Sequence, residues 1–499
     1  MRGAVAAGHS LTAEAGARVL EAGGNAVDAA VAAAFVSWVA ESPLTGPGAG
    51  GFMLVHRAAD RSTRVFDFFV AVPGLGLEGR PRIEMDAVDV DFSGGSTQVF
   101  HIGGASVAVP GAALGLEQAH RSFGTLPWQE LFGPAIELAR NGVELTRPQA
   151  YLHAILDLIL RHTPESCAVY ERNGERLSAG DVLVQHDLAG TLELLAERGA
   201  DELYHGELAE AIIRHLQRNH GSVTHRDLDE YRVVRRRPVQ ADFRGHTFLS
   251  NPPPSAGGVL IAWGLGVLPD VGPPGSSGAI DALARVMREQ ASARLVNGFD
   301  VALHRGGVAK LLEERTAIVT RGTTHISVVD GEGNAVALTA STGSGSGIVV
   351  PGTGIHLNNM LGEFDLARTP RPGARLSSGM SPSIVLHDER SRLVVGSAGS
   401  LRLRGAVMQI VVNVIGHRLG VRDAIERPRV HLEGAHLHCE GGHDPVELDK
   451  LEALGWDVVR WRRQNLFFGG AAAVEMLDDG SLAAAGDPRR GGAGLVVGG

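Results

Sequence analysis

The stretch from Gly322 to Ser341 constrains this chain most. Two runs of strand-forming residues, THISVVD and NAVALTAS, flank the glycine-rich centre Asp330-Gly331-Glu332-Gly333-Asn334. Alternation on either side of such a centre predicts a β-hairpin. A hairpin symmetric about Glu332 sets Thr323 opposite Ser341, with Cβ atoms ~5 Å apart. Two hydroxyls then fall within hydrogen-bonding range at the open end.

A hydroxyl is a poor nucleophile until a base takes its proton. A free α-amine has a pKa of ~7.7–8.0, so a threonine at a chain start carries its own base. Thr323 gains that amine only if the bond after Gly322 is cut. Glycine suits the cut, because no side chain blocks attack of the Thr323 hydroxyl on the Gly322 carbonyl. Taken alone, Gly322-Thr323-Thr324-His325 is more commonly just the start of a strand.

The rest of the chain alternates differently. Thr12–Ala22 reads as a helix stopped at Gly23-Gly24, and a second starts at the N-cap candidate Asn25. A glycine loop and a strand from Phe52 to Arg57 follow, then helices over Ala112–Ser122 and Pro134–Asn141. Residues 150–245 read as mostly helical, and strands dominate from Thr323 onward. Helices in the first half and strands in the second suggest an α+β layered fold.

The net charge of −10 disfavours nucleic acid or an anionic membrane surface as partner. Cys167 and Cys439 are the only cysteines, too few for a disulfide framework at 499 residues. The N-terminus lacks a basic segment followed by an apolar one, and the run Ala29–Ala40 is shorter than a membrane span. A cytoplasmic location is the expectation.

Landmarks spread over the chain carry a resemblance. They are AAGHSLTAEAGARVLEAGGNAVDAAVAAA at 6–34, GPGAGGF at 46–52, AVPGAALGLEQAHRSFGTLPW at 108–128, NPPPSAGG at 251–258, TTHISVVDGEGNAVALT at 323–339, GSGIVVPGTGIHLNN at 345–359 and DPRRGG at 487–492. In these the chain resembles the γ-glutamyltranspeptidase (glutathione hydrolase) family of N-terminal-nucleophile hydrolases.

The resemblance implies a four-layer αββα sandwich and self-cleavage into residues 1–322 and 323–499, interwoven as one globular body. It implies Thr323 as the residue that cuts the precursor and attacks substrate, supported by Ser341. Ser377 and Ser378 match a pair that holds a substrate α-carboxylate, and Glu363 falls where an aspartate faces the α-amine. Gly399 and Ser400 match the backbone donors of an oxyanion hole. No metal or organic cofactor is implied; the partner is a small γ-glutamyl or other acyl amide.

Three departures stand out. Phe69 replaces the arginine that clamps the α-carboxylate, Met360 replaces a common glutamine, and the loop Thr342-Gly343-Ser344 is short and lacks an asparagine. A bidentate arginine clamp is hard to replace. Either another arginine compensates, or the acyl group is not glutamyl; Phe69 and Met360 suggest a more apolar pocket. A β-lactam-acylase-like amidase and a non-catalytic binding protein of the same fold are the alternatives.

Other signals have plainer readings. Gly46–Gly51 fits G-x-G-x-x-G but lies between a helix and a strand in the wrong order for a dinucleotide site, and reads as a loop lining the active site. His431, His436, His438, Cys439 and His443 could hold a metal but read as an edge strand. Arg235-Arg236-Arg237 reads as a solvated face, and His325 as structural.

Overall fold

A computed structural model describes residues 2–78, 84–91, 97–270, 272–296, 314–315, 322–363, 371–399 and 402–498. Its core strands are β1 (Gly3–Ala7), β2 (Gly50–Arg57), β3 (Ser62–Phe68), β4 (Val234–Arg236), β5 (Val239–Phe243), β6 (His246–Ser250), β7 (Thr324–Asp330), β8 (Ala335–Ser341), β9 (Ser383–His387), β10 (Arg390–Ala398), β11 (Gly470–Met476), β12 (Leu482–Gly486) and β13 (Ala493–Val497). Two sheets form from them, in the orders β4-β3-β2-β8-β7-β1-β13 and β5-β6-β9-β10-β11-β12. Every pairing within them is antiparallel.

The sheets pack face to face, with β7 and β8 against β10 and β11 against β1 and β7. Helices α1 (Ser10–Glu21), α2 (Ala26–Ala40) and α3 (Ala112–Phe123) cover the first sheet; α4 (Gly257–Val267) and α5 (Arg402–Val411) pack on the second. Period-two alternation decides which side chain goes where. Val5, Ala7, Ile326, Val328, Val336 and Leu338 pack with the helices of the first sheet. Ala4, Ala6, Val329, Ala335 and Ala337 join Ile384, Val394 and Val474 between the sheets. With both faces covered, β1, β7 and β8 are buried throughout.

Local chemistry explains α2. The Asn25 side chain accepts from the backbone N–H groups of Val27 and Asp28, and Asp28 accepts in return from the Asn25 N–H, a complete capping box. All fifteen residues of the helix are buried, so its alanines serve close packing against α1, β7 and β8. Its C-cap is Glu41, which brings a carboxylate to the start of β7.

Two expectations change. Residues 231–245 are not helical: β4 and β5 occupy them, and Arg236 pairs with the buried Asp67 of β3 at 2.7 Å instead of facing solvent. The loop Gly46–Gly51 packs under the segment 356–358, where Asn358 donates to the Gly48 carbonyl, and does not line the cleft that holds Thr323. Among the described residues no helix is long and apolar enough to cross a membrane.

Candidate active site

The hairpin register matches the expected one: Thr324 pairs with Ala340 and His325 with Thr339. Thr323 therefore stands one step before β7, beside Ser341 at the end of β8. The hydroxyl pair is not made, however. Ser341 Oγ accepts the Gly343 N–H at 2.8 Å, where the chain turns out of β8. Thr323 Oγ1 is buried and has no hydrogen-bond partner among the described residues.

Thr323 lies in a narrow cleft of about 50 Å³ that opens to solvent. Leu44, Phe100, Leu152, Leu156, Leu466 and Phe467 supply mostly apolar walls. Gly322, Thr323, Ser344, Gly399, Arg402 and Arg490 add the polar part. A Cβ on Gly322 would meet the Gly343 carbonyl oxygen at 1.8 Å, so a side chain just before the nucleophile candidate would have to displace backbone. Gly399 follows β10 with φ +119°, and a Cβ there would stand 2.7 Å from Gly469 Cα. Its carbonyl accepts from the N–H of Arg402, the first residue of α5, at 3.1 Å, so Gly399 lies beside the positive N-terminal end of that helix.

The other candidates lie elsewhere. Ser400 falls outside the described residues. Ser377 donates to the Pro254 carbonyl, and Ser378 Oγ accepts from the Met380 N–H at 3.1 Å; neither lines the cleft. Glu363 sits behind the Gly343 turn, where a Cβ on Gly343 would come within 2.9 Å of its Oε1. Phe69 is fully buried between the sheets, stacked on Phe52 with ring centroids 5.5 Å apart. Met360 is buried in the same core. These two replacements fill the core, so the apolar cleft comes from other residues.

His325 is no base for Thr323. Its ring nitrogens bond Thr339 Oγ1 at 2.8 Å and Ser327 Oγ at 2.9 Å, and burial pushes its pKa down to about 3. Ser327 in turn donates to the Val394 and Ala472 carbonyls, tying β7 to the second sheet. In the histidine cluster, His436 pairs with Asp457 at 2.7 Å and His431 is buried beside Phe467. Among the described residues no three His, Cys, Asp or Glu side chains converge as a metal site.

Two residues not singled out in the sequence stand at the centre. Arg490 Nη1 donates to the Thr323 carbonyl at 2.8 Å, and its Nη2 lies 3.1 Å from Glu41 Oε2. Arg490 belongs to the DPRRGG landmark; nothing local to Glu41 marks it.

The profile described as Gamma-glutamyltranspeptidase matches residues 12–317 and 305–497. The chain belongs to the γ-glutamyltranspeptidase family. Its relatives within that family carry two kinds of name. The Acylase ACY 1 proenzyme of Pseudomonas sp. (strain SE83) is 35% identical over 97% of this chain and 91% of its own length. The glutathione hydrolase proenzyme of Escherichia coli (strain K12) is 33% identical over 98% and 90%. Among solved structures, a cephalosporin acylase from Bacillus halodurans superposes with a TM-score of 0.86 over 100% of this chain and 96% of its own, at 23% identity, a likeness of fold. The γ-glutamyltranspeptidase of Helicobacter pylori gives a TM-score of 0.52 over 61% of this chain and 86% of its own, at 31% identity.

Proposed function

We propose that this γ-glutamyltranspeptidase-family chain is a self-processing amide hydrolase on a four-layer αββα sandwich, with Thr323 as nucleophile. The observation that carries the reading is the Thr323 hydroxyl, buried in the cleft without a hydrogen-bond partner among the described residues and directly preceded by a glycine. A free hydroxyl at a cleft floor is available to attack a carbonyl.

Self-cleavage starts when Thr323 Oγ1 attacks the Gly322 carbonyl carbon. The acyl group moves from nitrogen to oxygen, and water hydrolyses the ester. This frees the Gly322 carboxylate and the Thr323 α-amine. In turnover that amine takes the hydroxyl proton as Oγ1 attacks a substrate amide, then passes it to the leaving amine. The Gly399 N–H, with that of Ser400, serves the oxyanion; one such donor is worth ~2.7–4 kcal/mol in the transition state. Water, or an acceptor amine, releases the acyl group.

The acyl donor has two readings. A γ-glutamyl amide such as glutathione fits the family and places Glu363 at the α-amine. An acylase cleaving a non-glutamyl group is favoured by the cleft itself, whose walls are mostly apolar and lack Ser377 and Ser378. Side-by-side turnover of γ-glutamyl and glutaryl p-nitroanilides, which differ only in the α-amine, tests both. Preference for γ-glutamyl supports the first, and preference for glutaryl the second. Turnover of either by the Thr323→Ala variant would refute the nucleophile assignment.

A further inference from the structure

We propose that the buried ion pair Glu41–Arg490 is the positioning device for Thr323, and that it holds the nucleophile across the cut. The inference rests on the reading of Thr323 as nucleophile. Four contacts are linked through this pair, and two of them end on the adjacent residues Thr323 and Thr324. Arg490 Nη1 donates to the Thr323 carbonyl at 2.8 Å, and Nη2 bonds Glu41 Oε2 at 3.1 Å. That same Oε2 accepts from Thr324 Oγ1 at 2.6 Å, while Oε1 accepts from Thr12 Oγ1 at 2.9 Å. The two charged side chains are only 6% and 3% exposed.

Strand alternation explains the arrangement. Thr324 faces the helix side of the first sheet, where Glu41 caps α2; Thr323 faces the other way. Anchors on the Thr323 carbonyl and the Thr324 hydroxyl fix the nucleophile from its C-terminal side. Once the Gly322–Thr323 bond is cut, the covalent tether on the N-terminal side is gone and these anchors remain. The pair also joins the two fragments, because Glu41 belongs to residues 1–322 and Arg490 to 323–499. Stability alone is a weak reason for such a pair, since apolar residues of similar volume commonly do as well or better.

The test separates positioning from stability. Glu41→Gln and Arg490→Met each leave one buried charge unpaired, so each lowers both the melting temperature and kcat. The double variant Glu41→Gln/Arg490→Met removes both charges. It is expected to recover most of the melting temperature yet keep self-cleavage and kcat down about 100-fold, the cost of a misplacement of about 1 Å, with KM nearly unchanged. Arg490→Lys, which keeps one charged donor, is expected to recover part of kcat. A double variant that regains kcat along with its melting temperature overturns the proposal, as does a folded Arg490→Met protein with full kcat. A parent chain that neither cuts itself nor turns over an amide instead overturns the nucleophile reading, and this proposal with it.

Discussion

Gly322 and Glu363 carry the sharpest consequences of the site. Any side chain at 322 runs into the Gly343 carbonyl, so Gly322→Ala must shift the scissile peptide or the turn facing it. Self-cleavage is expected to slow about 100-fold, as misplacement of reacting atoms by about 1 Å does. A time course of intact mass checks it, and unchanged kinetics would remove the steric argument. At Glu363 the outcome depends on the acyl donor. If the substrate α-amine meets this carboxylate, Glu363→Gln loses a charge-assisted bond of ~1.5–3 kcal/mol, or about 10- to 100-fold in kcat/KM for γ-glutamyl anilide. Turnover of glutaryl anilide, which has no α-amine, is expected to stay within about threefold. Equal losses on both would take Glu363 out of substrate recognition.

At the scale of elements, β7 joins the chemistry to the core. Ile326 is fully buried against the helices, so Ile326→Ala is expected to cost ~2–5 kcal/mol in urea denaturation; a cost below 1 kcal/mol would contradict the described packing. This element was the most legible in the sequence. The hairpin register follows from a turn centre and two alternating runs, and the α2 start from Asn25; both are local. The cleft was not local. Glu41 and Arg490 are 449 positions apart, and Leu44, Phe100, Leu152 and Leu466 meet only through the packing of distant segments. Phe69 and Met360 suggested an apolar pocket because each replaces a polar residue of the family pattern. They pack in the core between the sheets instead, and the apolar walls of the cleft come from other side chains.

The whole molecule has an acid limit written into its buried histidines. Burial pushes His325 down to about 3, and His153 and His356 to about 4. In the unfolded chain each titrates near ~6.5. Below that pH the unfolded state binds protons that the folded state refuses, so stability falls with falling pH, by up to ~1.4 kcal/mol per pH unit for each histidine. The urea midpoint is expected to drop between pH 7 and pH 5, a window above the ordinary carboxylate range. A flat midpoint there would contradict neutral burial of these rings. The proposed role of Thr323 is to turn one polypeptide into two. Intact mass of the purified protein under denaturing conditions, with Thr323→Ala beside it, tests this most directly. Two fragments divided between Gly322 and Thr323 are expected in the parent and a single 52.4 kDa chain in the variant. One uncut chain in both, or the same cut in both, would contradict it.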